Sequence, residues 1–310
     1  MKQNLRGKGL FVFSDPGGAK PVLALIKSLE HQLTDFLILS DREYGFFKDF
    51  GLEVTKPSSS KNEVEDFNPD FIFTGTSYTS KIELNYLKEG KKKNVQTYAF
   101  VDHWTNIRER FNNDGEEVLP DKVCLIDEKA KQIGLSQGLD ESVIIVIGNP
   151  FQDYLRTWQP SISKDSFFSS LGIDVSNKKI MVFAPDPLSN VDGVEKFGFD
   201  ETTVMNELAL FIDALLLKYI FIFKPHPNQD MSRLNQQVLE KIIVAKQDVD
   251  NNSLIYYSDL IMGFFSSYLI EAQIMNKRVL RYLPETAFND PFKDLAIGTL
   301  VNKNSFLETL

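Results

Sequence analysis

Short runs of apolar residues recur along the chain, each closed by a small or polar residue. They alternate with segments whose apolar positions repeat at helical spacing. Gly9–Phe13, Phe36–Leu39, Asp70–Thr74, Val95–Val101, Lys122–Ile126 and Val143–Ile147 are of the first kind. Their apolar residues follow one another without alternation, as in strands buried on both faces of a parallel sheet. Ala19–Leu29 is of the second kind, with Val22, Leu23, Leu25, Ile26 and Leu29 on one stripe. Strands spaced by helices predict βαβ units. Gly148-Asn149-Pro150 closes this block, Asp153–Trp158 follows, and the polar stretch Gln159–Lys164 reads as a linker. A second series then runs through Lys179–Ala184, Tyr219–Phe223, Ser253–Tyr256, Leu260–Met262 and Arg278–Tyr282, all expected to be strands. The pattern predicts an α/β protein of two doubly wound, Rossmann-like domains, residues 1–158 and 159–310, with a cleft between them. The segment Asn304–Leu310 reads as a capped helix that has only begun, so the chain is either cut short there or ends on a short helix.

Composition narrows the function classes. A chain of 310 residues suits two domains better than one core. A net charge of −9 argues against a nucleic-acid backbone as partner. The single Cys124 excludes an internal disulfide and a cysteine zinc cage. Met1–Arg6 runs straight into a strand pattern with no apolar signal segment, and no apolar run is long enough to span a bilayer. A cytoplasmic location is expected, with peripheral association at the inner face of the membrane left open by Lys91-Lys92-Lys93, a run that also reads as a solvated loop.

The candidate chemistry lies where strands end, since open α/β sheets bind ligands at their carboxyl edges. Lys224-Pro225-His226-Pro227 closes the Tyr219–Phe223 strand, and the flanking prolines fix a rigid loop. Ser266-Ser267 opens a helix after Leu260–Met262, and Glu271 sits about one turn into it. A cation, an imidazole, two hydroxyls and a helix N-terminus suit a phosphate or diphosphate. Glu271 suits ribose hydroxyls, and Pro185, just after Lys179–Ala184, joins the phosphate-binding set. On the other half, Asp102-His103 closes Val95–Val101, with Arg108 and Arg110 following; it suits general-base work and also reads as a local Asp–Arg pair beside a satisfied histidine. Asp114, in Asn113-Asp114-Gly115, is a second candidate base and also reads as a plain turn. Asp15, Gly17 and Gly18 in the first strand–helix loop, Thr76 in Thr74-Gly75-Thr76-Ser77, and Arg108 are placed on the acceptor side. Thr76 and its neighbours also suit the capping of the helix that follows. There is no phosphate-loop, dinucleotide or nucleophile-elbow signature. With three histidines and no ligand-spaced cluster, no metal is expected.

Lys224-Pro225-His226-Pro227 and the Ser266-Ser267 helix, in this two-domain setting, resemble glycosyltransferases of the GT-B architecture. They are similar to bacterial polysialyltransferases and related capsule or lipooligosaccharide sialyltransferases, in which a His-Pro motif and paired hydroxyls hold the donor phosphate. The Lys-Pro-His-Pro wording is also similar to the CDP-glycerol glycerophosphotransferases. Val146–Pro150 and the Asp102–Asp121 stretch look like segments of the non-hydrolysing UDP-N-acetylglucosamine 2-epimerases, which share the fold. Two departures stand out. The sialyltransferases carry two acids before the glycine where this chain has Asn113-Asp114-Gly115, and Phe264-Phe265-Ser266-Ser267 lacks the paired glycines of the epimerases. The resemblance implies metal-independent transfer from an activated sugar, CMP-linked by preference, to a saccharide or glycolipid acceptor of the cell surface. It implies no cofactor beyond that nucleotide-activated substrate. A 2-epimerase and a non-catalytic subunit of the same fold are the alternatives.

Overall fold

Residues 5–58, 62–175 and 178–310 are described by the computed structural model. Met1–Asn4, the start of the segment read above as lacking a leader, lie outside the described residues. The chain divides into two units, the first ending at Tyr154 and the second beginning at Leu155. The division falls within the helix Pro150–Thr157.

The first unit is built on a six-stranded sheet. In chain order its strands are β1 (Gly7–Phe13), β2 (Leu33–Ser40), β3 (Phe71–Thr74) and β4 (Gln96–Val101), then a two-residue hairpin of β5 (Asn112–Asn113) and β6 (Glu116–Glu117), then β7 (Lys122–Leu125) and β8 (Ile144–Val146). The sheet order is β2-β1-β3-β4-β7-β8, every pair parallel, with β5 and β6 paired apart from it. The second unit holds β9 (Lys179–Phe183), β10 (Tyr219–Phe223), β11 (Ile243–Val244), β12 (Leu260–Gly263), β13 (Arg278–Tyr282) and β14 (Thr299–Val301). Its sheet is also parallel, in the order β11-β10-β9-β12-β13-β14. The strand order reverses between β1 and β3 in one unit and between β9 and β12 in the other. At such a reversal the connections leave in opposite directions and open a crevice at the carboxyl edge.

The apolar runs form strands because both faces are covered. Leu10, Phe11, Val12 and Phe13 of β1 are fully buried, as are Ile180, Met181, Val182 and Phe183 of β9. Aromatic packing under the second crevice is dense. The Phe264 ring lies 5.9 Å from Phe183 and 5.1 Å from Phe199, both edge-on. Removing a buried ring of this kind typically costs about 3–5 kcal/mol. Cys124 is buried in β7, and burial pushes its thiol up to about 12, which makes it a packing residue rather than a nucleophile.

One expected strand is a helix. Ser253–Tyr256 lies within the helix Asn251–Tyr257. Asp250 caps it by accepting from the Asn252 N–H at 3.0 Å and from the Ser253 hydroxyl. A short apolar run fits either state, and this cap decides for helix. The edge of the sheet is taken instead by β11, beside β10. In the basic run, Lys92 pairs with Glu89 and Lys93 with Glu65, both at the surface. No helix among the described residues is long and apolar enough to cross a membrane.

Candidate functional site

In the second unit β10 and β12 flank β9, so three loops meet at one edge. Gly263 ends β12. A Cβ there would stand 2.6 Å from the Ala184 carbonyl oxygen, so only glycine lets these two strand ends approach. Pro185 is buried beside it, and the next residue, Asp186, accepts the Phe265 N–H at 3.0 Å. Burial pushes the Asp186 carboxyl up, with a further push from Glu201. Glu201, fully buried, accepts from the Ser189 N–H at 3.0 Å, the Ser189 hydroxyl at 2.5 Å and the Gln229 amide at 2.8 Å. Asn190 donates to the Asn228 carbonyl at 2.8 Å. The loops after β9 and β10 are thereby stitched together, and His226 stands on the second of them.

His226 has a defined tautomer. Its Nδ1 accepts the Asn228 N–H at 3.2 Å, so the neutral ring carries its proton on Nε2. Burial, and then Lys224, hold its pKa below the usual histidine value. The ring therefore offers a neutral Nε2–H donor from an exposed position. Lys224 Nζ lies 4.9 Å above the Tyr268 ring. Ser266 occupies the N-cap of the helix Ser267–Ile274 but makes no capping bond, and its buried hydroxyl has no partner among the described residues. The Tyr268 hydroxyl is buried and unpartnered in the same way. An unpaired buried hydroxyl costs about 1–3 kcal/mol, which a ligand at this helix N-terminus would relieve. Ser267 and Pro227 are exposed, while Glu271 is buried on the inner face of the helix.

The first unit repeats the close approach of strand ends. Gly18 and Gly75 are packed so tightly that a Cβ on either would lie about 3.0–3.1 Å from the other's Cα. Beside them a Cβ on Gly17 would stand 2.1 Å from Asp102 Oδ2, so the carboxylate lies directly over the start of the helix Pro16–Leu29. Asp102 Oδ1 accepts from Arg110 Nη1 at 3.0 Å. The same nitrogen donates to Thr76 Oγ1 at 3.0 Å, and that hydroxyl donates to the Phe100 carbonyl at 3.2 Å. Thr76 is thus a buried brace for Arg110, not a helix cap. Asp15 is occupied by the Tyr78 N–H at 2.9 Å and the Thr79 hydroxyl at 2.5 Å, so it fastens two loops together.

His103 and Asp114, the other candidate bases, and the acceptor-side Arg108 each have surroundings of their own. His103 Nδ1 accepts the Thr105 N–H at 3.2 Å, so the neutral ring carries its proton on Nε2. Asp114 is exposed, with φ 53°, at the tip of the β5–β6 hairpin, whose turn is closed by the Gly115 N–H donating to Asn112 Oδ1 at 2.7 Å. Arg108 is paired two-pronged with Glu117, at 2.6 and 3.2 Å, and donates to the Gly138 carbonyl at 3.0 Å. It lines a separate surface cavity of about 460 Å³ with Glu109, Glu117 and Gln137.

A profile of the CDP-glycerol:poly(glycerophosphate) glycerophosphotransferase family matches residues 135–294, more than half of the chain. The chain belongs to this family. The matched segment contains Lys224–Pro227, Ser266 and Ser267 and stops short of Asp102 and Arg110. A search of curated proteins finds no match. Among solved structures, UDP-GlcNAc 2-epimerase from Methanocaldococcus jannaschii is 16% identical over 97% of this chain and 91% of its own, with a TM-score of 0.68. The S. aureus MnaA–UDP complex is 15% identical over 97% and 86%, TM-score 0.60. The Neisseria meningitidis epimerase bound to UDP-GlcNAc is 15% identical over 88% and 82%, TM-score 0.63. At such identity the likeness is one of fold, a GT-B-like pair of Rossmann-type units. The first and third are UDP-GlcNAc 2-epimerases rather than the sialyltransferases the motifs resemble.

For this family member the structure adds residues that sequence reading passed over. Asp186 is one: in Pro185-Asp186-Pro187 it repeats the proline-flanked form of Pro225-His226-Pro227 at the neighbouring strand end, a signal present in the sequence. Glu83 is the other. It falls on the buried stripe of the helix Ile82–Lys92 with Leu87 and Gly90, an acid at an apolar position. It accepts from the Ser14 N–H at 2.9 Å and from the Ser77 hydroxyl, joining the loops after β1 and β3. Burial pushes its carboxyl up to about 7. The folded state therefore keeps a proton that the unfolded chain releases. Its stabilising effect is complete below the unfolded value near 4.5 and fades as pH rises through about 7. Glu83→Gln, which keeps an accepting oxygen, is expected to melt at the wild-type temperature at pH 4.5 and above it at pH 8, by up to about 3 kcal/mol of stability. Melting curves that stay parallel across that range would contradict the assignment.

Proposed function

We propose that this protein transfers a group from a cytidine-activated donor to a hydroxyl of a surface polymer, with CMP as the leaving group. The observation that carries the reading is the unpartnered, buried Ser266 hydroxyl at a helix N-terminus, on a loop that with the His226 loop flanks β9. His226 Nε2–H, the Ser266 hydroxyl and the helix N–H groups would bind the departing phosphate, and Lys224 would add charge. Preorganised donors of this kind usually make the largest catalytic contribution. Asp102 Oδ2, in the first unit, would take the proton of the attacking hydroxyl. The new bond forms from the acceptor oxygen, the bond to the CMP oxygen breaks, and CMP departs with the electron pair.

Family membership favours glycerol phosphate from CDP-glycerol as the group transferred, with attack at phosphorus. The sialyltransferase-like motifs favour a sugar from a CMP-sugar, with attack at carbon. Both release CMP, so the donor-side chemistry is common to them. Capsule, O-antigen or lipooligosaccharide assembly, and work at the membrane face, belong to this proposal. Thermal shift with CMP, CDP, UDP and GDP tests the donor class. A ligand at about 100 times its Kd adds roughly 2.7 kcal/mol, and the cytidine nucleotides should give the largest shift. CMP release from CDP-glycerol or a CMP-sugar, dependent on acceptor, then identifies the group. A shift with UDP alone, together with epimerisation of free UDP-GlcNAc, would overturn the reading in favour of the epimerase.

A further inference from the structure

Tyr78 is 56% exposed, yet it is held from three sides. Its N–H donates to Asp15 at 2.9 Å. Its neighbour Ser77 donates to buried Glu83 and accepts the Asp15 N–H at 3.0 Å. One face of its ring lies on the Arg110 guanidinium, 4.5 Å from centroid to carbon. Arg110 is itself 8% exposed, and its Nε is buried with no partner among the described residues. An exposed loop aromatic gains nothing in core packing from such ordering. Under the ring, Arg110 holds the Asp102 carboxylate with Oδ2 turned to Gly17.

We propose that Tyr78 and Arg110 form the acceptor subsite of the first unit. The open ring face of Tyr78 takes the C–H face of a hydroxylated acceptor, and Arg110 is the positioning residue that aims Asp102. This rests on the transfer reading above. Aromatic rings pack the apolar face of a polyol or pyranose while leaving its hydroxyls free for polar groups at the rim. A glycerol phosphate chain and a saccharide chain share this chemistry, and the experiment separates them.

The test uses the full chain, with a short poly(glycerophosphate) in one arm and maltotriose in the other. Tyr78→Ala should raise the acceptor KM by about tenfold, roughly 1.4 kcal/mol, with kcat and the donor thermal shift unchanged, and Tyr78→Phe should behave as wild type. Arg110→Met should lower kcat, and Arg110→Lys should recover part of it. An unchanged acceptor KM in Tyr78→Ala, with transfer proceeding, overturns the proposal. Where neither arm supports turnover, ¹H–¹³C spectra of ring-labelled tyrosine decide it. The Tyr78 cross-peak, assigned by its loss in Tyr78→Phe, should move with one of the two probes. No movement at saturating concentration of either also overturns it. Loss of the cytidine shift, by contrast, would strike at the transfer reading and not at this subsite.

Discussion

Replacing His226 with alanine is expected to lower transfer by about 100-fold or more with the fold intact, the usual cost of losing one preorganised donor. The ring is exposed and bonds to the Asn228 N–H, so truncation leaves no large cavity. Because Nδ1 is occupied as an acceptor, the contribution is that of an N–H donor at Nε2 and not of a base. His226→Gln, which presents a neutral N–H of similar reach, should recover part of the loss, and His226→Glu should not. Steady-state turnover with CDP-glycerol or a CMP-sugar, alongside a melting curve, makes the comparison. Near-normal turnover in a well-folded His226→Ala protein would remove the loop from the donor site. The same loss in the glutamine and alanine variants would argue against a donor role.

Asp102→Asn is expected to lower kcat by about 10²–10⁴-fold, the usual range for a general base. The asparagine can still accept from Arg110 at Oδ1, so the local geometry should survive. Donor affinity, set in the other unit, should stay the same, since the lost interaction belongs to the transition state. Asp114→Asn should be close to wild type, because Asp114 is exposed at a hairpin tip with positive φ, a position that asparagine adopts as readily. If Asp102→Asn transfers normally and Asp114→Asn is inactive, the hairpin is the site of the base, in line with the sialyltransferase pattern, and the strand-end assignment is wrong.

The loops proposed for the donor were readable in the sequence because their parts are local. A strand, a proline-flanked histidine and a helix-opening pair of hydroxyls each lie within a few residues. The same locality misled at Ser253–Tyr256, where a four-residue apolar run looks alike as strand or helix and Asp250 decided the matter. On the acceptor side, sequence reading chose Arg108 over Arg110. The two are two residues apart in a polar segment and nothing local distinguishes them. In the fold Arg108 is taken up by Glu117, while Arg110 turns inward to Asp102 and Thr76.

The sequence alone determined the architecture: continuous apolar runs at βα spacing force parallel strands covered on both faces, and two series of them force two Rossmann-type units. It also determined where ligands could bind, since loops at strand ends are the positions such a sheet leaves open. Only the tertiary structure decided which side chains there are free and which are spent. Asp15, Thr76, Arg108 and the Nδ1 atoms of His103 and His226 are committed to partners brought in from elsewhere or from the local turn, whereas the Ser266 hydroxyl is left buried without one among the described residues. The physical reason is that a polar group's chemistry depends on whether its hydrogen-bonding capacity is already satisfied. For Glu83, Asp186 and Arg110 that is settled by residues distant in the chain, through contacts that no local pattern encodes.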